Sequence, residues 1–98
     1  MIIAQISIAP VGKDVDLAIY VKKAVQILKK ETEKCETNAM ATIVETKTID
    51  QLFKAVHHAH SEVMTMPGVA RVITEIKIDD RTDKNATMEG KIKAATSL

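Results

Sequence analysis

Three histidines close together in the middle of the chain are the first side chains that could do chemistry. His57 and His60 stand three residues apart, so on a helix they share one face, as a pair of metal ligands or an acid–base pair would. No Cys or Glu stands at a spacing that completes a metal site, and His60 falls in line with Val56 and Val63. A packed, hydrogen-bonded His60 is therefore favoured over a ligand or base, and His58 is expected to be solvated.

The other reactive side chains form no catalytic constellation. Asp79, Asp80 and Asp83 lack the central glycine and terminal glutamate of a calcium loop, so a solvated turn is expected there. Cys35 has no CxxC partner, and Ser7 stands in no G-x-S-x-G elbow. The chain has only 3 glycines and no glycine-rich phosphate loop. The sequence therefore indicates no catalytic residue, no metal and no cofactor.

Composition argues against several classes of partner. Lys and Arg number 14 against 13 Asp and Glu, with the signs interspersed, so no basic patch favours nucleic acid or an anionic membrane. No apolar run approaches the roughly 20 residues that cross a bilayer. A single cysteine and a start without signal-peptide features favour the cytoplasm. The 98 residues, 46% of them hydrophobic, are expected to form one globular domain over residues 1–98.

Four segments alternate between apolar and polar residues as strands do. The first and last are the strongest, because β-branched residues dominate them. The two in the middle are short and join around Ala39-Met40 without a characteristic turn dipeptide. The predicted strands cover residues 2–9, 35–38, 41–47 and 69–78.

Two longer segments have helical periodicity, and a third is short. The first helix is predicted to follow a cap at Asp14 or Asp16. The second begins at a capping box formed by Thr48 and Gln51 and carries an apolar stripe. A third helix, capped by Thr87, is predicted over residues 87–95. The stripe of the second helix consists of Ile49, Leu52, Phe53, Val56, His60 and Val63.

The order β-α-β-β-α-β is that of a ferredoxin-like α+β fold. Right-handed crossovers place both helices on one face of a four-stranded antiparallel sheet and leave the other face bare. Its expected polar side chains are Gln5, Ser7, Asn38, Thr42 or the alternate residues of its strand, and either Arg71 or Thr74. Such amides and hydroxyls suit a polar heteroaromatic ligand or, equally, a contact between subunits. Ile73 is opposite in parity to the other apolar residues of the last strand, so self-association is expected.

Three segments resemble the thiamine-binding protein family of ferredoxin-like domains: residues 4–12 (AQISIAPVG), 36–45 (ETNAMATIVE) and 71–84 (RVITEIKIDDRTDK). The third is the most specific. The resemblance implies a βαββαβ fold, dimers or tetramers assembled through the sheets, and binding of thiamine or its hydroxymethylpyrimidine moiety without turnover. The chain departs from the family at Ala39 and Ala41, where proline and glycine are usual, so hairpin geometry and thiamine recognition can differ here.

The resemblance also implies a set of site residues. The family's recurring polar positions correspond to Ser7, Asn38, Thr42, Thr74 and Lys77. We expect Ser7, Asn38 and Thr42 to hydrogen-bond the aminopyrimidine ring, and Met40 to supply a soft contact in place of an aromatic side chain.

Two other functions stay open at this point. A small ferredoxin-like enzyme would work in a cleft between subunits, with His57 or His60 as the base, although neither has an orienting acid paired with it in the sequence. A structural or regulatory oligomer would bind no ligand, because packing would consume the whole bare face.

Overall fold

The structure is a computed structural model that describes residues 1–12 and 17–97. Its elements are β1 (Ile2–Pro10), α1 (Ala18–Glu31), β2 (Lys34–Thr37), β3 (Thr42–Thr46), α2 (Ile49–Met64), β4 (Val72–Asp79) and α3 (Met88–Thr96). The sheet is antiparallel in the order β2-β3-β1-β4, which confirms the predicted ferredoxin-like α+β fold. The caps predicted at Asp14 and Asp16 lie outside the described residues.

One face of the sheet packs against α1 and α2 and forms the core; we call it the helix face. Ala4, Ile6 and Ile8 alternate along β1 with polar residues, and all three are buried there beside Val44 of β3. The helices contribute Tyr20, Ala24, Ile27 and Leu28 from α1, and Leu52, Ala55, Val56, Ala59 and Val63 from α2.

The stripe predicted for α2 is wrong at two positions. Leu52, Val56 and Val63 are fully or almost fully buried, whereas Ile49 is exposed and Phe53 is 50% exposed. Each helical residue is rotated by about 100° from the one before it, so Phe53 lies well round the helix from Leu52. Ala55 and Ala59, which the prediction omitted, lie on the buried side instead.

The opposite side of the sheet, the open face, is polar. By strand register it comprises Ile3, Gln5 and Ser7 of β1, Lys34 and Glu36 of β2, Ile43 and Glu45 of β3, and Ile73, Glu75, Lys77 and Asp79 of β4. Thr42 pairs with Ile6 and Thr74 pairs with Ile8, so both threonines lie on the helix face. Their expected position on the open face is therefore wrong, because the register puts the alternate residues there.

α3 covers one end of the open face, which the sequence predicted to be bare. Met88 is buried, and its backbone N–H donates a hydrogen bond to the carboxylate of the buried Glu45. The Lys91 ammonium lies 2.7 Å from the Asp79 carboxylate. The open face is thus partly shielded at this end, where Ile3 also becomes buried.

Both predicted helix caps within the described residues form. The Thr48 hydroxyl accepts a hydrogen bond from the Gln51 N–H at 3.1 Å. The Thr87 hydroxyl accepts one from the Gly90 N–H at 3.0 Å. Each cap satisfies a backbone donor that has no partner within its helix and fixes where the helix begins. No helix in the described ranges combines the length and the apolar character that a membrane crossing needs.

Candidate functional site

The turn between β2 and β3 is held by one side chain. The Asn38 side-chain oxygen accepts hydrogen bonds from the N–H groups of Met40 and Ala41, at 2.8 and 2.9 Å. The Asn38 N–H donates to the Ala41 carbonyl at 2.9 Å. Asparagine stabilises tight turns in this way, and here it does so without a proline or glycine in the turn. Within the described ranges the Asn38 side-chain nitrogen has no hydrogen-bond partner, so its two N–H groups can serve a ligand.

A cavity of about 170 Å³ lies between this turn, the second half of β1 and α1; we call it the hairpin cavity. It forms because the ladder between β1 and β3 ends at Ile6 and Thr42, while β1 stays paired with β4 as far as Pro10. The hairpin edge of β1 beyond Ile6 therefore borders the cavity instead of a strand. Residues that line it are Ile6, Ser7, Ile8 and Ala9 of β1, Val21, Ala24, Val25 and Leu28 of α1, and residues 37–42.

Size and polarity limit what the hairpin cavity can hold. An apolar protein cavity of roughly 150 Å³ accommodates benzene, so this one has room for a single six-membered ring. Sites for drug-sized ligands are larger, about 300 to 1,000 Å³. Among residues 1–12 and 17–97, no residue that lines the cavity carries a charge. The cavity therefore suits one uncharged ring, and any charged extension of a ligand would have to lie outside it.

Two hydroxyl groups meet at the hairpin. The Thr42 oxygen lies 3.1 Å from the Thr37 oxygen, and Thr42 is buried on the helix face. Alternation along β1 directs the Ser7 side chain to the open face, so Ser7 borders the cavity with its main chain. Met40, at the tip of the turn, is 89% exposed and is free to fold over a bound ring.

The structure thus divides the six predicted site residues into two groups. Ser7, Asn38, Met40 and Thr42 all line the hairpin cavity, whereas Thr74 and Lys77 do not. Thr74 instead holds His60 through a 2.6 Å contact between its hydroxyl and Nδ1, and Lys77 lies on the open face opposite Gln5. The contribution of α1 was not predicted, because Val21 and Val25 have the spacing of ordinary core residues.

The three histidines lie away from the hairpin cavity. The hydrogen bond with Thr74 confirms that His60 is a packed residue. His58 is about half exposed, with Nδ1 against the Glu31 carboxylate and Nε2 3.6 Å from that of Glu62. Across residues 1–12 and 17–97, no group of three or more His, Cys, Asp or Glu side chains is arranged to hold a metal ion.

The remaining candidate groups are explained by local contacts. Burial raises the pKa of the Cys35 thiol, which packs against the core and is therefore not activated. The hydrogen bond from Lys91 lowers the pKa of the Asp79 carboxyl, and that from Arg81 lowers the pKa of the Asp83 carboxyl. These two aspartates form surface ion pairs.

The fold and the site together define a ferredoxin-like α+β domain with a ring-sized, uncharged cavity beside its β2–β3 hairpin. The chain belongs to the thiamine-binding protein family, whose model matches residues 4–96. That match covers all of the described strands except the first two residues of β1, and it includes the whole hairpin cavity.

Relatives of known sequence or structure agree with this family. A UPF0045 protein of Methanocaldococcus jannaschii is 44% identical over 97 residues, covering 99% of this chain and 94% of that protein. Its crystal structure matches with a TM-score of 0.88 over 99% of this chain and 97% of that chain. A structure from Thermotoga maritima, named as a candidate thiamine biosynthesis or salvage protein, has a TM-score of 0.82 at 18% identity and covers 96% of this chain and 97% of its own. This last likeness shows the shared fold.

Proposed function

We propose that this protein binds thiamine or its hydroxymethylpyrimidine moiety in the hairpin cavity and catalyses no reaction on it. The observation that carries the proposal is a cavity of single-ring size, without charged lining residues, at the hairpin that bears Asn38 and Thr42. Membership of the thiamine-binding family supports the choice of ligand. The name of the Thermotoga protein is consistent with it.

The polar groups around the cavity match an aminopyrimidine. Such a ring has two nitrogen atoms that accept hydrogen bonds and an exocyclic amine that donates them. The side-chain N–H groups of Asn38 and the hydroxyl of Thr42 can donate hydrogen bonds to the ring nitrogens. At Ser7 to Ala9, β1 is no longer paired with β3, so its main-chain groups on that edge can accept hydrogen bonds from the exocyclic amine. The thiazolium cation of whole thiamine would extend beyond the cavity, because the lining contributed by the described part of the chain holds no carboxylate to pair with it.

A binding role is favoured over catalysis by the chemistry of the lining. The described residues that line the cavity supply hydroxyl, amide and thioether side chains, and none of these residues is a general base that could activate a nucleophile. None of the histidines lines it, and His60 is engaged by Thr74. For these reasons we propose a role in binding, sensing or carrying the ligand in the cytoplasm.

We also propose that the protein works as a homo-oligomer, a dimer or tetramer assembled through the open face. Support comes from Ile73 of β4, which is 46% exposed on the same face of the sheet as the exposed Gln5 and Ser7 of β1. A subunit contact would remove this apolar surface from water. Ultracentrifugation at micromolar concentration tests the assembly, and a stable 10.7 kDa species would contradict it.

Titration calorimetry with thiamine and with hydroxymethylpyrimidine tests the ligand. Both are expected to release heat at one site per chain. Thr42→Val keeps the side-chain volume but removes the hydroxyl, so the affinity should fall about tenfold, since losing a partner for a buried polar group costs roughly 1 to 2 kcal/mol.

Thr74→Val is the matched control for that titration. It makes the same chemical change on the same sheet face, outside the cavity, and should leave the affinity unchanged. Absence of heat with both compounds, from wild-type protein of confirmed fold, would overturn the proposed function.

A further inference from the structure

A second cavity lies between α3 and the open face, and it shares Thr37 and Asn38 of the hairpin with the hairpin cavity. Its volume is about 350 Å³, within the range of small-molecule sites. We call it the α3 cleft. Ile3 and Ile43 of the sheet form its floor, Met88 and Ile92 of α3 form its roof, and the charged residues at its boundary are Glu36 and Lys91.

α3 is attached to the sheet at its beginning and stands free along the rest of its length. Met88 is buried, but every later residue of the helix is exposed. The attachments are the hydrogen bond from Met88 to Glu45 and the ion pair between Lys91 and Asp79. Ile92 lies over the cleft and is still 54% exposed, so an apolar body placed beneath it would remove apolar surface from water on both walls.

The two charged residues of the cleft differ in how fully they are neutralised. Lys91 is engaged by Asp79 at 2.7 Å, and this contact also lowers the pKa of the Asp79 carboxyl. Within the described ranges, Glu36 has one ion-pair partner, Lys34, at 3.6 Å on the same strand, and both side chains are substantially exposed. Exposed pairs of this kind contribute little and exchange partners readily. The cleft therefore presents an available carboxylate next to aliphatic walls.

We propose that the α3 cleft is a second binding site, for a small organic cation with an apolar body. The body would lie between Ile3 and Ile43 below and Ile92 above, and its ammonium group would pair with the Glu36 carboxylate. The described residues that line the hairpin cavity carry no charge, whereas Glu36 and Lys91 border the cleft, so the two sites are expected to select different ligands. This inference does not depend on the nature of the ligand in the hairpin cavity.

Methyl NMR with 2-phenylethylamine as the probe tests the proposal. The amine is protonated at neutral pH, and 2-phenylethanol is its neutral counterpart. The amine is expected to shift the methyl resonances of Ile3, Ile43, Met88 and Ile92. Saturating hydroxymethylpyrimidine, which is expected at the other site, should not displace it. Shifts confined to Ile6 and Ile8, which line the hairpin cavity, would overturn the assignment.

Glu36→Gln tests the role of charge in the same measurement. It should weaken binding of the amine by up to about fivefold, as expected when a partly exposed ion pair is lost, and leave binding of the alcohol unchanged. Glu75→Gln, on the same face but outside the cleft, is the control and should change neither. Equal binding of amine and alcohol by the wild-type protein would contradict the proposal. So would shifts of the Met88 and Ile92 methyl resonances that follow protein concentration without the probe, since they would mean that the proposed subunit contact extends over α3 and fills the cleft.

Discussion

The two faces of this sheet are made by the same four strands but differ in how deeply their side chains are buried. On the helix face, residues such as Ile6 and Val44 are buried among apolar neighbours, and the contacts there serve the fold. On the open face, residues such as Gln5 and Glu75 are exposed, and α3 covers only one end. The hairpin cavity borders the first face and the α3 cleft lies on the second. The alternating hydrophobic pattern of the strands thus determines which residues pack against the helices, whereas the residues of the open face can vary with function.

Truncation of a core side chain on the helix face should produce the largest loss of stability. Leu52 and Phe53 are neighbours on α2, but Leu52 is 0% exposed and Phe53 is 50% exposed. Leu52→Ala should lower the free energy of unfolding by about 3 kcal/mol because it leaves a cavity. Phe53→Ala should lower it by less than about 1 kcal/mol. Urea denaturation measures both losses. A larger loss for Phe53→Ala than for Leu52→Ala would contradict the assignment of Leu52 to the packed face of α2.

The attachment of α3 should be the next most sensitive feature. The Glu45 carboxylate accepts the Met88 N–H at the beginning of α3, where a negative charge stabilises a helix. Glu45→Gln should lower the free energy of unfolding by about 1 kcal/mol and speed amide exchange in α3. Exchange in α1 should not change. Glu75→Gln removes a charge from the exposed part of the same face, and an equal effect from it would contradict a specific role for Glu45.

Acid should loosen the same helix by a smaller amount. The hydrogen bond from Lys91 lowers the pKa of the Asp79 carboxyl. A carboxyl whose pKa is lower in the folded state stabilises that state above its unfolded pKa of about 3.9, and the stabilisation is lost as the pH falls through the folded value. The Ile92 methyl resonance should therefore move as the pH drops below about 4. Asp79→Asn should abolish this step, and Asp83→Asn, which breaks a different ion pair, should not.

The smallest effect concerns Cys35 at the edge of the helix face. Burial raises the pKa of its thiol, so the reactive thiolate is scarce at neutral pH. Iodoacetamide should alkylate Cys35 in the folded protein more slowly than in the urea-unfolded chain. Faster alkylation in the folded protein would mean that Cys35 is activated and that this edge of the packed face is not inert.

Much of the fold was predictable from periodicity and capping residues. Alternating residues in β1 and β4 identified the strands, and Thr48 and Thr87 marked the starts of α2 and α3. Phe53 was placed wrongly because a large apolar side chain next to the stripe has nearly the spacing of a core residue. The sheet register is set by long-range pairing, so local pattern alone did not place Thr42 and Thr74 on the helix face.

The candidate site was only partly predictable. Resemblance to a family predicted the cavity residues on or next to the hairpin, such as Asn38 and Thr42. Its α1 wall at Val21 and Val25 gave no separate signal, because a cavity wall and a core have the same composition. The α3 cleft exists because of the position in which the short helix α3 packs on the open face. The open face has no clear apolar pattern in the sequence, so this position was not predicted.

The central claim is that a pyrimidine ring binds on the helix face of the β2–β3 hairpin. The most direct test is a crystal structure of the protein grown with hydroxymethylpyrimidine. We expect electron density for one ring between the 38–41 turn, the edge of β1 at Ser7 to Ala9, and α1. The Asn38 side-chain nitrogen and the Thr42 hydroxyl should lie within hydrogen-bonding distance of that ring. A ring bound only on the open face, or a hairpin cavity that stays empty at saturating ligand, would contradict it.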